Sequence, residues 1–238
     1  VHGDSVYVQA GGAFVRLEKE TGRTIWRSLS DGGGMGGSAF SSPFFAEIGG
    51  IPQLLVQTRE ELAGVEPATG KALWRQPVKA FRGMNILTPV VHEDGLFTST
   101  YGGRPSLFKA SVGDGGIDLK LSWDNKLQGY MSTPVVIDGH AYLHLRNTRF
   151  ACVNLTTGEI AWTTTERFGK YMSLVAQGDR ILALDQEGKL FLFGANPARF
   201  EKLDERKIAD EETWAHLAVA GRELFVRELN AIAAYEWR

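Results

Sequence analysis

The residues best suited to chemistry are few, and their spacing does not build a reaction centre. Gly32-Gly-Gly34-Met-Gly-Gly37 satisfies the G-x-G-x-x-G pattern by which backbone amides cradle a dinucleotide pyrophosphate. That chemistry needs a strand before the glycines and a helix after them. Here an apolar strand opened by Ser42-Pro43 follows instead, so the dinucleotide reading is set aside. Cys152 is the only cysteine, which excludes an intramolecular disulfide and a Cys-based zinc site. As a lone small residue in an apolar run it is expected to be a buried, inert thiol. His140 and His144 could share a strand face, but no acidic third ligand stands at a suitable spacing, and both are read as surface histidines. His2 and His92 fall at equivalent turns and belong to a turn motif. Asp114 and Asp118 surround glycines without the alternating oxygen ligands of a calcium loop. Ser-His-Asp triads assemble in space, and nothing in the order of residues singles one out. The expectation is therefore no catalytic residue and no metal site.

The elements that would position any site come from an internal repeat. Cys152-Val-Asn154-Leu-Thr-Thr157-Gly158-Glu-Ile-Ala-Trp162 reads as two short strands joined by a tight turn. The same phrase recurs at Thr21-Gly22 to Trp26 and at Thr69-Gly70 to Trp74, with Gly four residues before Trp each time. A second marker, an apolar strand opened by Ser42-Pro43, Thr88-Pro89, Thr133-Pro134, Ser173-Leu174 or His216-Leu217, returns at intervals of 40 to 46 residues. That period suits a four-stranded β-propeller blade.

The expected fold is all-β: a propeller of antiparallel blades over 1–238 as a single domain, with blades near 1–30, 41–79, 87–127, 132–166, 172–207 and 213–238. Blade one lacks its innermost strand, because His2-Gly3-Asp4 stands where later blades carry their first hairpin turn. Blade six stops before a fourth strand. The six are expected to be part of a ring of seven or eight, since closure removes exposed sheet edges. Val1 is not an initiator Met, so a signal peptide or lipid anchor would lie upstream. In blade three Gly113-Asp-Gly-Gly116 replaces Thr-Gly before Trp123, and in blade five Asn196-Pro197 replaces it, with Phe200 near the Trp position. Trp26, Trp74, Trp123 and Trp162 are expected to wedge the widening space between neighbouring blades.

Composition narrows the function classes. The 238 residues are 43% hydrophobic and 23% charged, with a net charge of -2 and no basic run. No electrostatic footprint for nucleic acid is present, and no stretch approaches the roughly 18 apolar residues of a membrane span.

The repeat resembles the pyrroloquinoline-quinone-type (quinoprotein-like) propeller family, whose blades carry Ala-x-Asp-x-x-Thr-Gly-x-x-x-Trp. Thr-Gly-x-x-x-Trp is kept at Thr21–Trp26, Thr69–Trp74 and Thr157–Trp162, while the first half is looser: Arg16 and Glu18, Gly64 and Glu66, Cys152 and Asn154. The family holds quinone-dependent dehydrogenases and non-enzymatic members, such as the propeller lipoprotein of outer-membrane β-barrel assembly. In the dehydrogenases, the resemblance implies, quinone lies between a Trp floor and a vicinal disulfide beside calcium, and a lone Cys152 cannot supply that disulfide. The resemblance thus implies a non-enzymatic scaffold of the bacterial cell envelope or periplasm, with no cofactor and a protein or peptide partner. The alternative is a dehydrogenase, or a degenerate relative of one, using pyrroloquinoline quinone (PQQ) and calcium.

The four methionines, Met35, Met84, Met131 and Met172, all fall where the chain enters an innermost strand. Tyr130 and Tyr171 precede two of them, and Trp214 holds the place in blade six. They are read either as inter-blade packing or as a ring around the central funnel. An up-and-down blade puts these connectors at the same end as the turns between second and third strands, which offer Arg59, Arg104, Arg146 and Asn147. Apolar and aromatic groups bordered by arginines suit a protein interface, so this end is the expected partner-binding face.

Overall fold

The computed structural model describes residues 1–10, 12–31 and 40–236. Met35 and the glycines at 32–34, 36 and 37 lie outside the described residues. The described chain forms six antiparallel sheets, each with its strands in sequential up-and-down order. Blade one has strands Ser5–Gln9, Phe14–Glu18 and Thr24–Ser28; blade two has Phe44–Ile48, Ile51–Gln57, Glu61–Val65 and Ala72–Pro77. Blade three has Val90–His92, Gly95–Thr98, Ser106–Gly113 and Gly116–Asp124; blade four has Val135–Ile137, His140–His144, Phe150–Asn154 and Ile160–Thr163. Blade five has Met172–Gln177, Arg180–Asp185, Lys189–Gly194 and Glu201–Lys207, and blade six has Ala218–Ala220, Glu223–Arg227 and Ile232–Glu236. The helical content described is one 3-10 turn, Phe81–Gly83. Two compact units divide the chain: Val1–Gln128 holds blades one to three and Gly129–Arg238 holds blades four to six.

The repeat phrase is explained by one hairpin geometry. Between third and fourth strands the register shifts at Arg16/Leu17, Gly64/Val65, Leu107/Phe108, Cys152/Val153 and Leu192/Phe193, a β-bulge at the same rung of five blades. In blades one to four the residue before the bulge faces Trp26, Trp74, Trp123 or Trp162. The extra residue raises the local twist of the hairpin. The acidic or amide position closes the turn: Gly22, Gly70 and Gly158 donate their N–H to the carbonyls of Glu18, Glu66 and Asn154 at 2.9, 2.9 and 2.8 Å. Asn154 Oδ1 also accepts from the Thr156 and Thr157 amides at 2.9 and 3.0 Å. Gly70 is required twice over, because its φ is +79° and a Cβ there would sit 2.7 Å from the Trp26 ring.

Trp26, Trp74 and Trp162 fill seams between blades. Trp26 packs with Phe14, Leu54, Val65 and their neighbours, and its indole N–H donates across the seam to the Pro67 carbonyl at 3.2 Å. Trp162 repeats this in the second unit, packing with Phe200 at 5.6 Å between centroids and donating to the Asn196 carbonyl at 2.9 Å. Trp74 lies in the seam of blades two and three beside Leu55, Leu96 and Phe108 but donates to Gln53 Oε1, within its own blade, at 2.6 Å. An indole buries about 150–250 Å², worth roughly 4–6 kcal/mol at about 25 cal/mol per Å² before ordering costs.

Two expectations need correction. The register places Asp204 opposite Leu192, so Asp204 and not Phe200 stands at the Trp position of blade five. Phe200 lies in the turn ahead of the strand, where it packs on Trp162 from the far side of the seam. His144 is not a surface residue: it is 1% exposed, with its ring against Phe150 at 5.4 Å. Cys152 is fully buried, and burial pushes its thiol up to about 11, which leaves it an inert packing group.

Candidate functional site

In the second unit the connectors entering three consecutive blades bring their aromatic side chains together. Tyr130 and Tyr171 stack at 5.7 Å with their planes 21° apart, and Tyr171 meets Trp214 at 4.3 Å and 40°. Each ring comes from a different blade, so the contact exists only because the blades stand side by side. Hydrogen bonds from neighbouring turns hold the connectors in place. Tyr130 N–H donates to the His144 carbonyl at 3.2 Å, and Tyr171 N–H to Gln186 Oε1 at 2.8 Å. The Gln186 amide returns a bond to the Tyr171 carbonyl at 3.1 Å, and its own carbonyl accepts from Thr213 N–H at 3.0 Å. Below them Asp185 Oδ1 accepts from the Glu187 and Lys189 amides, both at 2.9 Å, which shapes the turn carrying Gln186. Burial pushes the Asp185 carboxyl above its ordinary value, opposed by those two amides.

Exposure grades along the row. Tyr130 is buried, Tyr171 half-buried and Trp214 53% exposed, so the row rises from the packed interior to solvent. The charge beside it changes sign. Lys170 Nζ lies 5.2 Å from the Tyr171 ring centre, and Arg146 and Asn147 stand exposed on the turn of blade four, where Arg167 donates to the Asn147 carbonyl at 2.8 Å. At the Trp214 end Glu212 accepts the indole N–H at 2.8 Å and Glu211 accepts from Asn230 Nδ2 at 2.7 Å.

The remaining expected residues divide. Met131 is half-buried beside Tyr130 in sequence. Met172 is 4% exposed inside the first strand of blade five and packs with Phe150, Leu174 and Phe191, so it belongs to the core beneath the row and not to its surface. In the first unit Arg59 donates to the Arg82 carbonyl at 3.1 Å, and half-buried Met84 ends the 3-10 turn that presents Phe81. Arg104 is directed to Asp124 at 2.8 Å.

Sequence reasoning missed Phe81 and Arg82, the chemically richest pair of that connector. Phe81 is 52% exposed, edge-on to Tyr101 at 5.8 Å, with the Arg82 guanidinium 5.1 Å from its ring centre. Arg82 has φ +53°, a conformation uncommon for a residue with a side chain. An aromatic immediately before a basic residue and Gly, ahead of Met84, was the available signal. Buried Asn85 locks this connector by donating Nδ2 to the carbonyls of Thr58 and Arg59 at 2.7 and 3.1 Å. Among the described residues no group of three or more His, Cys, Asp or Glu side chains could hold a metal ion.

Comparison with solved structures identifies the fold. The chain is similar to BamB from Moraxella catarrhalis with a TM-score of 0.75 at 16% identity, covering 98% of this chain and 70% of that one. It is also similar to the β-propeller domain of Cps50 (Swd1) from Myceliophteria thermophila, with a TM-score of 0.66 at 11% identity, covering 98% and 80%. A third likeness is to BBS1N solved in complex with ARL6DN, with a TM-score of 0.68 at 11% identity, covering 98% and 74%. The fold is a β-propeller. No curated protein matches the chain in sequence. The family described as outer membrane protein assembly factor BamB matches residues 1–164, which is more than half of the chain, and the protein belongs to that family.

Proposed function

We propose that the protein is a non-enzymatic scaffold of the bacterial cell envelope that acts in outer-membrane protein assembly from the periplasmic side. Its partner is an extended peptide or a partner loop laid across the row Tyr130–Tyr171–Trp214. Support for the setting comes from family membership. The observation that carries the binding reading is the row itself: aromatic rings from three connectors in mutual contact, with Trp214 more than half exposed. Large rigid aromatics beside arginine are the groups that dominate interface energetics, and rings already held by main-chain bonds lose little freedom on binding. The change of charge along the row orients the partner, with acidic groups toward Lys170 and Arg146 and basic groups toward Glu211 and Glu212.

The test is capture of purified outer-membrane assembly components by the protein carrying Tyr171→Ala and Trp214→Ala. Capture is expected to fall at least about tenfold, the loss of roughly one hot-spot contact, while the melting temperature stays within about 2 °C. A large drop in melting temperature would make the row a packing device and remove the reading. Added PQQ and calcium are expected to leave capture unchanged and to produce no alcohol oxidation with an artificial electron acceptor.

A further inference from the structure

The connector entering blade six, together with the turn between that blade's second and third strands, gathers carboxylates that no cation answers. Asp210, Glu211 and Glu212 lie on the connector and Glu228 on the turn, and among the described residues none of them forms an ion pair. In a chain whose net charge is -2, this is a local surplus of negative charge. Its field reaches inward: burial raises the pKa of the Tyr235 hydroxyl, and Glu228 and Asp210 raise it further. Two exposed apolar side chains share the surface, Trp214 at 53% and Leu229 at 57%. Glu212 Oε2 accepts the Trp214 indole N–H at 2.8 Å, which sets that carboxylate at the rim of the ring. Glu211 Oε2 accepts from Asn230 Nδ2 at 2.7 Å and so ties the connector to the turn that carries Leu229. Tyr171 supports the indole at 4.3 Å. The strand Ile232–Glu236 leads away from this surface, since Ile232 pairs with Arg227 beside the turn and Glu236 with Glu223 at the far end.

We propose that this surface seats an arginine side chain of the partner polypeptide, its guanidinium laid on the exposed face of Trp214 and its N–H groups directed to Glu211 and Glu212. The site rests on the aromatic row being the partner's landing surface, and it names the residue that lands at the acidic end. Charge complementarity sets the sign of the occupant, because unpaired carboxylates bordering an exposed ring favour a cation over a neutral or acidic group. The shape is set by the ring. Indole is the best cation–π partner among the aromatic side chains, and a planar guanidinium stacks on it while its edge donors still reach carboxylates, which the compact ammonium of lysine does not match. Acceptors remain for those donors, since the bonds to the indole and to Asn230 each use a single oxygen of Glu212 and Glu211. Leu229 lies within the same turn and offers apolar cover for the methylene stem. A bare metal ion is a poorer fit, because among the described residues no group of three or more His, Cys, Asp or Glu side chains could hold one.

The probe is a capped Gly-Ala-Arg-Leu-Gly peptide, titrated into the protein at low salt while the indole N–H resonance of Trp214 is followed. Saturable shifts are expected, with a dissociation constant on the order of millimolar. Citrulline in place of arginine keeps the plane and removes the charge, and is expected to bind about fivefold or more weakly. Lysine keeps the charge and loses the plane, and is also expected to bind more weakly. In the double variant Glu211→Gln, Glu212→Gln the amide oxygens still accept from Asn230 and Trp214, so the indole keeps its place. The arginine peptide is nevertheless expected to lose about fivefold in affinity there, together with most of its salt dependence. Absence of saturable shifts in the unmodified protein, citrulline or lysine binding as tightly as arginine, or unchanged affinity in the double variant overturns the proposal. These outcomes are separable from those for the row. Capture of assembly components that is lost in Tyr171→Ala and Trp214→Ala but indifferent to the double variant keeps the row and removes the arginine. A charge-dependent arginine response without such capture upholds this site and removes the role of the row in assembly.

Discussion

The two seams of the second unit are built on the same bulge, yet they close differently. Between blades four and five, Trp162 enters a cluster of Tyr142, Phe150, Phe193 and Phe200 and ties itself to the next blade through Asn196. Between blades five and six, aliphatic side chains around Leu184, Leu217 and Leu224 pack with Tyr235, and the tie runs the other way, from the Tyr235 hydroxyl of blade six to the Ile208 carbonyl. The difference rests on one ladder position, and it teaches that in this chain the backbone register is the repeated element while the filling of the seam is local.

The largest effect that would break the contrast is at Trp162. Trp162→Ala is expected to cost about 3 kcal/mol in urea unfolding, transfer and cavity effects together, whereas Asp204→Ala should leave the midpoint unchanged because Asp204 is exposed. Equal midpoints for the two variants would show the indole to be dispensable.

A similar magnitude comes from pH. His144 is buried against Phe150, and burial lowers its pKa from 6.5 to about 4, opposed in part by a backbone contact at Gly169. The unfolded chain therefore takes up a proton near pH 6.5 that the folded chain refuses until about pH 4. Stability is fully present above pH 6.5 and falls as pH drops through that window, by about 3 kcal/mol in all. His144→Leu should flatten this part of the stability–pH curve. A curve unchanged by the substitution would mean that His144 is not the responsible group.

The smallest expected effect sharpens the other side. Tyr235→Phe removes the cross-seam bond to Ile208 and should cost about 1 kcal/mol, measured again by urea unfolding. A loss as large as that of Trp162→Ala would make the hydroxyl, and not the aliphatic contact, the closure of that seam.

What could be read from the residues followed from what is local. Thr-Gly-x-x-x-Trp marks the hairpin because the turn and the bulge fix the distance from Cys152 to Trp162, Gly64 to Trp74 and Arg16 to Trp26. Where the turn lengthens at Asn196-Pro197 that distance changes, and counting from the turn chose Phe200 over Asp204. His144 resisted reading because the side of a strand that faces a neighbouring blade is set by sheet packing, which period-two alternation alone does not report. At the candidate site the connector positions of Tyr130, Tyr171 and Trp214 were legible from the repeat, but their mutual contact was not. Met172 shows the limit: it has the same sequence setting as Met131 and lies one strand residue deeper, in the core.

The bulge has one more consequence, in misfolding. In blades one, two and four the residue before the bulge and its tryptophan are ten residues apart, in blade five the equivalent pair is twelve apart, and in blade three sixteen. Hairpins of unequal length cannot exchange strands without losing the bulge, so blades three, four and five are mutually incompatible as swapping partners. Blades one and two are adjacent and equal, which makes them the pair in which a fourth strand can join its neighbour's sheet in correct register, the hazard to which repeat architectures are prone.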